Sequence, residues 1–520
     1  MNIFSEEIEQ LSTQVEEGAR ATSGNVEKFI EPANGTLRRA LSKRHHLVFG
    51  RRGSGKSSLL YKTYQTLTDS NHATAYIDLE PFKGHQYPDV VLSVLISTLK
   101  KIQLWLRDNK SELEGERIWY TLWLSKKNGG KITPIIKSID KEIEELIVQL
   151  NLTDSATLKN IVKSGNEHKR DESISGKAKG KIKGVFTTAK SELDTKIANE
   201  VKSRSSNEIT ENYIRDKQQF LLRRVITYQE IFSKIQSLTD KDIYLIFDDL
   251  YHLKRENQPQ IIDYFHRLAK GNSIWLKIGT IRYRSKWYIH TPQPIGIKIG
   301  DDTEEINLDV TLSKFATTKK FLISVLEKYI SNAKSPSTNE LLTEGAIDRL
   351  VLASGGVARD FLGIFRRSLD EAKERLSNNL DHHRGSRISA EDVNKASGSY
   401  GETKQEEFQR DTLEESAPLE MEFKKIKDFI SHTKRNVFLI DQELANDQVD
   451  QINELIDLRL IHEIRNRVTV TSKPGKVYRA YILDVSQYTG ERARRDVEIM
   501  EFWKDSNKDR IRIASLIYEP

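Results

Sequence analysis

The sequence predicts an α/β fold: a mostly parallel sheet covered on both faces, with a helical insertion, a helical lid and a C-terminal winged helix. Three observations predict it. An apolar run at 47–49 ends in a glycine-rich loop that opens a helix. A second apolar run, IYLIFDD at 243–249, ends in two carboxylates. Strand-like and helix-like segments alternate around both, which is the pattern of crossover units in a parallel sheet. The ligand of such a sheet lies at the carboxyl ends of its strands.

The elements follow in order. Residues 1–40 read as a helix and a connecting segment, 45–49 as the first strand, 57–69 as the helix leaving the loop, and 73–79 (ATAYIDL) as the second strand. Val90, Val91, Val94, Leu95 and Leu99 recur at helical spacing, so 87–106 reads as a helix. From 107 to 212 the pattern degrades into a charged insertion. It holds a helix at 132–152 and a Lys/Gly/Ser-rich stretch at 168–189 that reads as a mobile loop, centred on 165–185. A helix at 213–238, the strand at 243–249, a helix at 259–270 and the strand IWLKIGT at 274–280 complete a core spanning 41–305. The lid, 306–385, contains helices at 317–331, 339–354 and 359–376. A charged linker at 398–418 leads to helices at 420–431 and 447–458. Short strands at 461–465 and 467–472, a Pro474-Gly475 turn and a strand at 477–485 follow, which reads as a winged helix within 386–490. Residues 491–520 read as a tail.

At 520 residues the chain exceeds one ordinary domain. It has no cysteine, which excludes disulfides and thiolate metal sites. No apolar run approaches the roughly 18–20 residues that span a bilayer. The opening MNIFSEEIEQLSTQVEEGAR is acidic and amphipathic, unlike a signal peptide. The chain is therefore expected to be soluble and cytoplasmic. A net charge of +6 permits nucleic-acid binding without demanding it.

Residues 50–57 read G-R-R-G-S-G-K-S, the pattern G-x-x-x-x-G-K-[ST] of a P-loop NTPase. Gly50, Gly53 and Gly55 let the loop wrap a polyphosphate, and the backbone from Arg52 and Ser54 to Ser58 offers its amides to the oxygens. Lys56 supplies a cation for the β- and γ-phosphates, and the Ser57 hydroxyl ligates Mg²⁺. ATP and Mg²⁺ are the expected ligands. Asp248, at the tip of the IYLIFDD strand, is expected to hold Mg²⁺ through water. Asp249 then sits where a general base orients an attacking water.

With the third strand ending in Thr280 and the lid run Ser354-Gly355-Gly356-Val357-Ala358-Arg359-Asp360, these motifs resemble an AAA+ ATPase. The clade is the one joining archaeal and eukaryotic origin-recognition initiators with the STAND signalling ATPases, and the resemblance covers roughly 25–100 and 225–490. It implies that Thr280 occupies the sensor 1 position and contacts the γ-phosphate or the water. Arg282 completes a T-x-R pattern, and Arg359 occupies the sensor 2 position, where its guanidinium forks onto phosphate oxygens. The acidic pair is Asp-Asp where these enzymes usually carry Asp-Glu, which implies slow hydrolysis and a switch rather than a motor. Val357-Ala358 replaces the proline usual in STAND lids, and the insertion is foreign to the common core. Arg267, Arg282 and Arg284 are the candidates for an arginine finger acting in trans.

The resemblance implies ATP-dependent self-association and a separate protein effector, as in prokaryotic antiviral-defence ATPases. The alternative is a DNA loader or remodeller of replication or transposition. For that reading Lys177, Lys179, Lys181 and Lys183 in the insertion, and Arg459, Arg465 and Arg467 near the hairpin, would face DNA. Tyr283, Arg284, Lys286, Trp287 and Tyr288 form a basic-aromatic cluster suited to stacking bases or to a protein interface. The pairs His45-His46 and His382-His383 lack metal-ligand spacing.

Overall fold

The computed structural model describes residues 2–18, 29–114, 132–151, 206–378, 385–411, 416–443, 446–489, 497–507 and 509–519. The lysines at 177–183, the loop at 165–185 and His382-His383 lie outside the described residues.

Helices α1 (Glu6–Glu17) and α2 (Thr36–Leu41) precede β1 (His46–Phe49), α3 (Lys56–Asp69) and β2 (Ala73–Asp78). The helices α4 (Asp89–Asp108), α5 (Lys110–Glu114), α6 (Ile132–Asn151) and α7 (Ser206–Thr239) come next. Then come β3 (Ile243–Asp248), α8 (Gln258–Ala269), β4 (Ile274–Thr280), a hairpin of β5 (Tyr288–Ile289) and β6 (Ile295–Gly296), and β7 (Glu304–Asn307). Strands β2, β3, β4, β1 and β7 form one sheet in that order, every pair parallel. Burial is complete along β1 and β3, as a parallel strand covered on both faces requires. The sheet extends through β7, which the sequence reading omits. Its residues read EEIN, and only Ile306 is buried; so short and polar a strand shows no period of its own.

The insertion adds to the core. Ile132, Ile135, Ile139, Ile143 and Leu146 make one apolar face of α6, in the same cluster as the buried face of α4. Lys217 on α7 is buried and donates to Asp89 at 2.6 Å. Arg224 on α7 pairs with Glu142 at 2.8 Å.

The lid comprises α9 (Phe315–Ala333), α10 (Thr338–Leu341), α11 (Glu344–Ser354) and α12 (Ala358–Ser377). The helix expected at 339–354 is two helices, because two caps interrupt it. Ser337 and Glu340 close a capping box on α10. The Thr343 hydroxyl accepts from the Ala346 N–H and starts α11. Helix α1 buries Ile8, Leu11 and Val15 in the lid's cluster.

The charged segment at 398–418 is largely a helix instead of a linker: α13 runs Ala390–Asp411. Its charge is partly buried and paired; Lys404 is 2 % exposed and donates to Asp484 at 2.7 Å. Helix α14 (Ser416–Thr433), β8 (Val437–Asp441), α15 (Asn446–Asp457), β9 (Ile461–Val468) and β10 (Tyr478–Leu483) follow. The antiparallel order β8-β10-β9, with α15 between β8 and β9, is a winged-helix sheet. One continuous strand, β9, replaces the two short strands expected there, and register shifts opposite Ala480 absorb the irregularity. The expected tail packs: Met500, Phe502, Ile511 and Leu516 are buried, and Trp503 stacks on Phe315 of the lid with centroids 4.0 Å apart. No described helix is long and apolar enough to cross a membrane.

Candidate functional site

The strand order brings the carboxyl ends of β1, β3 and β4 to one edge, and the loop after β1 lies there. The Gly50 N–H donates to the Thr280 carbonyl at 3.3 Å, tying the loop to β4. Gly53 has φ +85° and faces α12 so closely that a Cβ would fall 2.6 Å from that of Arg359, so glycine is required. Lys56 is buried, and its Nζ donates to the carbonyls of Gly50 (2.9 Å) and Arg51 (3.3 Å). Burial holds its pKa down, against the pull of Asp249 and Asp248. The Ser54 hydroxyl is buried and has no hydrogen-bond partner.

Asp248 ends β3 at 2 % exposure. It accepts from the Tyr76 hydroxyl (2.6 Å) and from the Asp249 N–H (2.9 Å), and Ser57 stands on the same cavity. Burial first, then Asp249, pushes its pKa up to about 6; Tyr76, Ser57 and Lys56 oppose the rise. Asp249 leaves the strand in the left-handed region at φ +57°, which Asp tolerates better than most residues. Its pKa is raised by burial, with Lys56 opposing and Asp78 reinforcing. Asp78 and Glu80 line the same cavity. Asp248 and Asp249 beside the Ser57 hydroxyl supply hard oxygen donors of the kind a divalent cation takes.

The cavity measures about 740 Å³, within the ordinary range for small-molecule sites. Arg52, Gly53, Ser54, Gly55, Lys56, Ser57, Ser58, Asp248, Asp249 and Arg359 all line it. Arg359 lies in the first turn of α12, and its N–H donates to the Gly53 carbonyl at 3.3 Å. Its charge acts on both Lys56 and Asp249.

Two predicted residues lie behind the cavity wall. Gly50 is buried there, and so is Thr280, whose hydroxyl bonds the Ser285 hydroxyl. The pleat explains Thr280. Successive side chains alternate faces, and Gly279 is the one aimed at Asp248, so Thr280 points away. The arginine-finger candidates are engaged within the chain. Arg282 pairs with Glu305 and lies 4.1 Å over the Phe49 ring, Arg267 pairs with Asp263 at 2.7 Å, and Arg284 sits 6.0 Å from the Tyr251 ring. Arg459 does not face DNA; it is buried and pairs with Asp360 and Glu407. In the basic-aromatic cluster, Trp287 packs on Phe49 with centroids 5.0 Å apart. The Tyr283 N–H donates to Asp457 of α15 at 2.7 Å.

Sequence reasoning missed the apolar part of the cavity lining. Phe29 and Ile30 reach it from the N-terminal segment, and Phe321, Val325 and Tyr329 reach it from α9. The spacing of the α9 residues, i, i+4, i+8, was visible and reads as ordinary core. Tyr76 and Gly279 were also missed. A glycine inside a buried strand is the signal that marks close approach of another group.

No curated protein sequence matches the chain. Among solved structures it is similar to the Aeropyrum pernix ORC1 protein, in a structure with DNA, at 12 % identity and a TM-score of 0.33, covering 94 % of this chain and 96 % of that one. It is also similar to the Walker-type ATPase PABY2304 of Pyrococcus abyssi, at 12 % identity and a TM-score of 0.38, covering 87 % and 92 %. A family model described as ORC-CDC6-like matches residues 21–346, more than half of the chain. With a phosphate loop, a paired-carboxylate strand, a lid and a winged unit in AAA+ order, this chain belongs to the ORC-CDC6-like family.

Proposed function

We propose that this chain binds and slowly hydrolyses ATP with Mg²⁺, and that nucleotide state sets the arrangement of its lid and winged unit. One observation carries the reading. Ser57, Asp248 and buried Lys56 line one cavity, which α12 borders with Arg359. Residues far apart in sequence thus supply a cation, a hydroxyl and carboxylates to one point.

Lys56 and the loop amides hold the phosphates. Ser57 and Asp248 would hold Mg²⁺, which supplies charge neutralisation at the phosphate oxygens. Asp249, at the strand tip, orients water and accepts its proton. The aromatic lining of Phe29, Phe321 and Tyr329 takes the base, whose flat face suits aromatic contact. Arg359 joins the phosphate end to the lid, so loss of the γ-phosphate is felt by α12. Thr280 supports the loop through its carbonyl, and no phosphate contact is assigned to it. Titration calorimetry of Lys56→Ala tests the reading: ATP affinity should be lost, and unchanged affinity would refute it.

A DNA-binding role is favoured by the wing, where Arg465 and Arg467 lie on β9 and Lys473 is exposed beyond it. Affinity for unrelated duplexes that falls steeply with salt supports this role. Self-association and an effector partner rest on the family setting. Mass photometry with and without ATP tests the first, and capture of a co-encoded protein tests the second.

A further inference from the structure

The second residue of the phosphate loop, Arg51, is 3 % exposed and does not line the nucleotide cavity. Its bonds all run to the protein. Asp309 accepts from the Arg51 backbone N–H (2.8 Å) and from Nε (3.2 Å). Nη2 donates to the Val310 carbonyl (3.0 Å) and to the carbonyl of Gly355 in the lid turn (3.0 Å). Nη1 lies 3.5 Å from Nδ1 of His462, on β9 of the winged unit. The other ring nitrogen, Nε2, lies 2.7 Å from Asp484. One neutral tautomer satisfies both partners: Nδ1 accepts from Arg51 and Nε2–H donates to Asp484.

The chain of contacts continues. Asp484 takes Lys404 at 2.7 Å, and Lys404 lies 3.4 Å from Asp360 of α12. Asp360 pairs with Arg459, and Arg459 pairs with Glu407. Glu407 lines the nucleotide cavity. The network therefore leaves the site behind the phosphate loop and returns to it beneath the lid. Buried ionic networks gain little stability over apolar packing of the same shape; their best attested use is to fix one arrangement among several. The lid turn is cut to match. Gly355 has φ +58°, and a Cβ there would fall 2.1 Å from the His462 ring.

We infer that Arg51 is a positioning residue through which the winged unit, by His462 and Asp484, holds the phosphate loop and the lid turn in register. This rests on the nucleotide reading above. Arg51 fixes the carbonyl that Lys56 bonds, and His462 fixes Arg51. The winged unit then acts on nucleotide affinity without touching the nucleotide.

The test uses the full chain, with ADP and with ATP plus Mg²⁺ as probes. His462→Ala should weaken both by about tenfold or more, the scale of losing a charge-assisted hydrogen bond. His462→Gln, whose amide can accept from Arg51 and donate to Asp484, should restore most of that affinity. A folded His462→Ala protein with wild-type affinity would overturn the inference. Should that variant fail to fold, Arg51→Lys decides. Lysine keeps the charge and loses the fork. Hydrogen exchange over 461–468 should slow on saturation with ADP in the wild type and not in Arg51→Lys; equal slowing in both overturns the inference. Unchanged binding by Lys56→Ala would instead remove the nucleotide reading beneath it.

Discussion

The Tyr76 hydroxyl donates to Oδ2 of Asp248 at 2.6 Å, across the β2–β3 pair. Asp248 is buried, and burial favours its neutral form. Tyr76 helps to keep the carboxylate charged and aimed along the sheet edge, and Ser57 on α3 also favours the charged form. Tyr76→Phe removes one of the bonds to the charged form and leaves the ring in place. ATP affinity measured with Mg²⁺ should fall by about tenfold, the size of a hydrogen bond to a charged group. Affinity measured in a chelator should stay within about twofold, because the phosphate loop is untouched. An equal loss in both conditions would place Tyr76 outside the metal's reach.

Gly279 is the second residue on which Asp248 depends. A Cβ at this position would meet Asp248 Oδ1 at 2.7 Å and Leu60 Cδ1 at 2.6 Å. The backbone there is ordinary strand, so the requirement is for space and not for an unusual φ. Gly279→Ala must displace the carboxylate or push α3 from the sheet. Thermal stability should drop by about 1–3 kcal/mol, as for other overpacked cores. Mg²⁺ enhancement of ATP binding should drop with it. A variant as stable and as Mg²⁺-responsive as the wild type would show that Asp248 has room to spare.

Asp249 is proposed to direct water, and its backbone is left-handed at φ +57°. Alanine there would add backbone strain to any chemical effect. Asparagine tolerates that conformation and keeps the shape, so Asp249→Asn isolates the charge. Single-turnover hydrolysis should slow by about 10²-fold or more, the usual contribution of a positioned base. ATP affinity should remain within about threefold, or rise, because a negative charge beside the phosphates is gone. Wild-type turnover in this variant would remove Asp249 from the reaction and leave a binding switch.

The sheet and the cavity-lining loop after β1 were legible because both are written in contiguous residues. The loop at 50–57 and the run IYLIFDD carry their chemistry and their strand signal together. What stayed illegible depends on partners distant in sequence. Strand β7 exists because β1 offers it an edge, and EEIN says nothing of that. The charges of α13 looked solvated, yet Lys404 is buried against Asp484, 80 residues on. Arg459 looked like a groove contact for the same reason, since a buried arginine and an exposed one have the same letter. Thr280 failed by one step of the pleat: the strand was placed correctly, but the face of its last residue is set by Gly279 and Asp248.

The contact between the ATPase core and the winged unit should respond to pH through Asp457. This carboxylate, at the end of α15, accepts from the Tyr283 N–H at 2.7 Å. Its pKa is pushed up to about 7, first by burial and then by the charge of Asp309; the Tyr283 N–H, Arg51 and Arg284 act in the other direction. A carboxyl raised in the folded state holds its proton more tightly there than in the unfolded chain. Its stabilising contribution is complete below the ordinary Asp value and is lost as pH rises through about 7. Asp457→Asn keeps an oxygen for Tyr283 and can never charge. The variant and the wild type should therefore melt closest together below about pH 4, the gap should widen as pH rises to about 7, and at about pH 8 the variant should melt several degrees higher. Hydrogen exchange at Tyr283 should follow the same course, accelerating with pH beyond the intrinsic rate only in the wild type. A melting difference that stays constant across this range would show that another group titrates at the interface.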